Sequence, residues 1–77
     1  MRLRYNPRPL SHAEQETAVA AGLADAGLSE ESVRYAWIRW ESQIESAMAK
    51  RVAPAKIVAW ICAALAGTAD YRRGPRD

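Results

Sequence analysis

Apolar positions recur along this chain at helical rather than strand spacing, in three blocks separated by turn residues. The first block follows Ser11-x-x-Glu14, a capping box with Ser11 as N-cap and Glu14 at N3. It predicts a helix over 12–25 that stops at Gly27, a residue suited to the left-handed position after a helix. The large apolar face of this helix is thin: Val19, Leu23 and Ala26, interrupted by Gly22.

Ser29 caps the second block, and Glu30 and Glu31 oppose the positive end of the helix dipole. Leu28 and Val33 occupy the two positions of a hydrophobic staple. Val33, Trp37, Trp40, Ile44, Ala47 and Met48 then fall on one stripe, and Lys50 and Arg51 sit in the last turn. A single helix over 30–51 is predicted. Pro54 opens the third block at the first helical position. Its wide apolar stripe is Ile57, Val58, Ile61, Cys62, Ala64 and Leu65, and the predicted helix runs over 54–66, with Gly67 ending it. The break between the second and third helices is too short for anything but an antiparallel hairpin.

These elements give an all-α fold, a small three-helix bundle over 11–69. An extended basic N-terminal arm (1–10), stiffened by Pro7 and Pro9, precedes it, and a flexible basic C-terminal tail (70–77) follows. The third helix carries Ala59, Ala63 and Ala66 beside Trp60, with Lys56 as its only charge. A helix apolar on nearly every side is buried on nearly every side. The Trp60, Ala59 and Ala63 face is therefore expected to meet the arm, a partner or a second copy in a homodimer. The alternative is that the first helix lies across it, with small residues permitting close approach.

Composition sharpens this picture. Leu, Ile, Val and Met total 15 of 77 residues, against 16 alanines, three Trp, three Tyr and no Phe. Alanine favours helix but adds little burial, so the core is small enough to gain from a partner. Charge is unevenly placed. Arg2, Arg4 and Arg8 face no acid within residues 1–8, and Arg72, Arg73 and Arg76 outweigh Asp70 and Asp77 in the tail. The body between holds five cations and seven anions. Basic extensions on an acidic body suit phosphate or an acidic protein surface.

Catalytic chemistry finds no foothold in the sequence. One His and one Cys, His12 and Cys62, do not make a metal site, and the four glycines match no phosphate-binding loop. Cys62 lies in an aliphatic run, poor surroundings for a reactive thiolate. Glu41 and Glu45 stand one turn apart on a face shared with Arg34, which reads as solvent-exposed. The chain is therefore expected to be no enzyme and to take no cofactor. The lone Cys points to a reduced, cytoplasmic setting. Val52–Ala69 contains Pro54 and Lys56 and is largely alanine, so no membrane span is expected.

Two binding readings remain. Leu23 through Arg34, with Gly27 at the turn, Leu28 after it and Val33 five residues further on, resembles the centre of a helix-turn-helix. That resemblance implies a second helix in the major groove, with Glu30, Glu31, Arg34 and Tyr35 near bases and the arginines of the arm available to the minor groove. The sequence departs from the pattern in having Leu23 at a usually small position, Ala36 at a usually large one, and two glutamates opening the reading helix. The other reading is a protein-binding module. Tyr35, Ile38, Arg39 and Ser42, with Arg34 nearby, lie opposite the apolar stripe of the second helix and have an interface-like composition. A non-enzymatic inhibitor, adaptor or regulatory subunit is the expectation, its partner a protein or a protein–nucleic-acid complex. Inhibitors of host nucleic-acid machinery encoded by phage and mobile elements are often of this size.

Overall fold

In a computed structural model the described residues are 9–70 and 72–76, and all their regular structure is helical. The helices are α1 (His12–Asp25), α2 (Glu30–Arg39), α3 (Glu41–Ala49) and α4 (Pro54–Leu65). Arg2, Arg4 and Arg8 lie outside the described residues.

The caps form as their residue types dictate. Ser11 Oγ accepts from the Glu14 amide, and Glu14 Oε1 accepts in return from the Ser11 amide. Ser29 Oγ accepts from the Ser32 amide at the start of α2. Three helices end in the same way, with paired amide bonds back into the last turn. These are Leu28 to Leu23 and Gly27 to Ala24 after α1, Val52 to Ala47 and Arg51 to Met48 after α3, and Thr68 to Ala63 and Gly67 to Ala64 after α4. The left-handed residue is glycine in two of them, but after α3 it is Arg51, with φ of 63°.

One expected helix is two. The helix predicted over 30–51 breaks at Trp40, whose φ of −121° and ψ of 30° leave the helical region. No proline or glycine marks the position. Length supplies a reason: 22 straight residues would span about 33 Å, whereas α1 and α4 span about 21 and 18 Å. Turning at Trp40 brings the second half back over these shorter partners. It also sends the Trp40 ring inward, where only 4% of the residue remains exposed. Edge-to-face contacts hold that ring, to Tyr35 at 5.8 Å on one side and Trp60 at 5.7 Å on the other.

The core comprises Val19, Leu23, Ala36, Trp40, Ile44, Ala47, Met48, Val52, Ile57, Ile61 and Ala64. Although α1 has the thinnest apolar face, it is the main packing partner of α4. The explanation is Gly22: a Cβ placed there would lie 2.7 Å from Val58 Cγ2, so glycine sets how closely the two helices approach. Ala59 stays exposed, and Ala63 and Trp60 are half-buried. Buried Gln15 adds a polar tie, its Nε2 donating to the Met48 carbonyl at 3.0 Å.

The tail also departs from expectation. Gly74 and Pro75 are buried, and a Cβ on Gly74 would stand 3.2 Å from Gln43 Cβ on α3. Asp70 organises the approach: its carbonyl accepts from the Arg73 and Gly74 amides, and its carboxylate from the Arg72 amide at 3.1 Å. The described tail residues are thus packed on the body rather than trailing from it.

Candidate functional site

The break at Trp40 redistributes the residues expected to form one contact face. Tyr35, Ile38, Arg34, Arg39 and Ser42 are all exposed. Ile38 is 75% exposed and Tyr35 53%, which with Leu10 makes them the exposed large apolar residues among those described. They no longer share a single helix. Tyr35 packs edge-to-face with Trp40, whereas Ile38 and Arg34 border a cleft against α1. Ser42 has moved to α3, where it lines a concavity of about 300 Å³ with Gln43, Ser46, Lys50, Arg72 and Arg73.

The cleft between α1 and α2–α3 has two compartments that adjoin at Ala20 and Trp37. One, of about 460 Å³, is lined by Glu16, Thr17, Ala20, Trp37, Glu41 and Glu45. The other, of about 430 Å³, is walled by Ala20, Ala24, Leu28, Val33, Trp37 and Ile38, with Glu30 and Arg34 at its rim. Trp37 is half-buried and spans both. The groove is therefore acidic at one end and apolar at the other.

No known protein family, curated protein or solved structure matches this chain.

At the acidic end His12 Nε2 lies 2.7 Å from Glu45 Oε1, and its Nδ1 lies 3.9 Å from Glu16 Oε1. The hydrogen bond to Glu45 and the charge of that carboxylate hold the imidazole above its ordinary pKa; desolvation opposes them, and the charge of Glu16 adds the least. These three residues bring one ligand-type atom each to within 4.8 Å of one another. Sequence counting missed this grouping because the partners come from α1 and α3, 33 positions apart for His12 and Glu45. The only advance signal was the 12, 16 spacing, one helical turn.

On the far side of α3 the tail supplies a basic surface. Lys50, Arg73, Pro75 and Arg76 line a second concavity, of about 430 Å³, and Arg73 pairs with Asp70 at 3.4 Å. Lys50 was not foreseen as part of the tail cluster, because nothing in the sequence places residues 72–76 against α3. Cys62 is half-buried on α4. Among the described residues, no helix is long and apolar enough to cross a membrane.

Proposed function

We propose that this chain is a non-enzymatic helical module that docks on a larger macromolecular partner and acts there as an inhibitor, adaptor or regulatory subunit. One observation carries the reading: Ile38, three-quarters exposed, stands on α2 with half-exposed Tyr35 and the cations Arg34 and Arg39 around it. Aliphatic, aromatic and arginine side chains together make the composition of interface hot spots. The partner is a protein, or a complex of protein and nucleic acid in which the basic tail meets phosphate.

Direct duplex binding is the second reading. The cluster of Lys50, Arg72, Arg73 and Arg76 favours it, and Glu30 and Glu31, exposed at the start of α2, oppose it.

Fluorescence anisotropy of a labelled random-sequence duplex, titrated with the protein at low and near-physiological salt, separates the two. Under the first reading the protein alone leaves anisotropy unchanged. A log affinity falling steeply with log salt would place duplex binding first. For the protein partner, Ile38→Asp is the decisive variant. It should abolish co-purification with the partner while the thermal midpoint stays near that of the parent, because Ile38 contributes little burial. Tyr35→Ala is less clean, since it also removes the contact with Trp40, an aromatic pair worth about 0.5–1.5 kcal/mol.

A further inference from the structure

The groove between α1 and α2–α3 has a chemistry that the chain itself can satisfy. Its acidic end gathers Glu16, Glu41 and Glu45 beside the half-buried ring of Trp37. Residues 1–8 read Met-Arg-Leu-Arg-Tyr-Asn-Pro-Arg and carry three arginines and no acid. We infer that this groove receives the N-terminal arm of a second copy of the chain, so that two copies exchange arms reciprocally.

Three observations support that occupant. Charge is complementary: Arg2, Arg4 and Arg8 would meet Glu41 and, beside it, Glu16 and Glu45, which share the single imidazole of His12. The pattern also fits. Laid extended, the segment would turn Arg2 and Arg4 to one side and Leu3 and Tyr5 to the other, which suits a groove lined both by carboxylates and by the apolar Trp37 and Ala20. Length is sufficient as well, because the α1 wall of the groove, from Glu16 to Ala24, runs about 12 Å at helical rise, and eight extended residues span about 26 Å.

Where the arm begins argues for a second copy rather than the same one. Pro9 and Leu10 line a concavity together with Gln15, Val52 and Pro54, and the Leu10 carbonyl accepts from Arg51 Nη1. At 100° per residue, Gln15 stands far around α1 from Thr17, Ala20 and Ala24, which line the groove. To reach its own groove, the arm would have to reverse around the start of α1. Pro7 and Pro9, each with fixed φ and each biasing its predecessor to extended geometry, resist such a reversal. Exchange between two copies uses the same pair of surfaces twice and closes on itself.

A charge swap in the full-length chain, read by sedimentation velocity, tests this. The parent should sediment as a dimer that dissociates as salt rises. Arg2→Glu with Arg4→Glu should give a monomer, and so should Glu16→Lys with Glu41→Lys. Mixing those two monomeric variants should restore a dimer, because the reversed arm meets the reversed groove and the parent arm meets the parent groove. The milder pair Glu16→Gln and Glu41→Gln, with helix content checked by circular dichroism, should weaken dimerisation about tenfold, in line with exposed charge pairs. A monomeric parent would overturn the inference. So would a dimer indifferent to both swaps, which would place self-association on another face such as that of Trp60, or a mixture of variants that stays monomeric.

Discussion

At the scale of single residues, the left-handed backbone at Arg51 is an anomaly with a simple origin. The same helix-ending motif takes glycine after α1 and α4, where no Cβ opposes a positive φ. Arg51 accepts the strain, and its side chain reaches an exposed backbone carbonyl at Leu10 in return. Arg51→Gly should therefore stabilise the chain by about 1 kcal/mol, the left-handed penalty less glycine's greater freedom when unfolded, measured as a higher urea midpoint at unchanged m-value. A lower midpoint would show that the bond to Leu10 outweighs the backbone strain. Ser11, Ser29, Gly27 and Gly67 were all legible in the sequence, because caps depend on residues within a few positions of one another. Arg51 was not, since a non-glycine residue at such a position carries no local signature.

At the scale of elements, two contacts decide how α1 sits. Against α4 the determinant is Gly22 facing Val58. Alanine in a helix is favoured over glycine by about 1 kcal/mol, but overpacking costs about 1–3 kcal/mol when the neighbour cannot move. Val58 is short and branched, hence stiff, so Gly22→Ala should destabilise on balance. In a Val58→Ala background the same substitution should become neutral or stabilising, a sign reversal that a double-mutant cycle in urea would register.

Against α3, His12 bonds Glu45 at the surface, beside the buried tie from Gln15 to the Met48 carbonyl. Because the folded-state pKa of His12 is raised above 6.5, the pair's contribution is complete below pH 6.5 and is lost as pH rises through the folded value. Glu45→Gln should flatten stability across that window, and an unchanged pH profile would mean the pair contributes nothing. The elements themselves were largely readable from spacing, with α1 and α4 bounded almost as expected. The turn at Trp40 was hidden because it follows from the lengths of the elements being wrapped, a property of the assembled fold rather than of residues near position 40. The groove was hidden for the same reason: Glu41 and Glu45 look solvated until α1 places Glu16 beside them.

At the scale of the whole molecule, the core among the described residues numbers eleven side chains, three of them alanine. So small a core is marginal alone, and it leaves charge to sort itself over the surface. Acid lines one side of α3, through Glu41 and Glu45, and base gathers on another, around Lys50 and the packed tail. Removing the tail's anchor tests how far this sorting depends on packing. Gly74→Val adds a branched side chain where even a Cβ crowds Gln43, at a backbone φ of 67° that valine resists. It should release residues 72–76 from α3, detected as faster tryptic cleavage after Arg72 and Arg73, while the helical signal persists. Cleavage at the parental rate would mean that the tail holds by other contacts.

The placement of the three tryptophans has an optical consequence. Trp40 and Trp60 sit edge to face, the first in the core and the second at its margin, while Trp37 forms a wall of the groove. The indoles therefore divide into a contacting pair, whose emission follows the integrity of the helix packing, and one placed to sense whatever enters the cleft. A Trp37→Phe chain would keep the first signal and lose the second. Unlabelled protein thus carries separate reporters for unfolding and for occupancy, and comparing the parent with the Trp37→Phe chain would tell them apart.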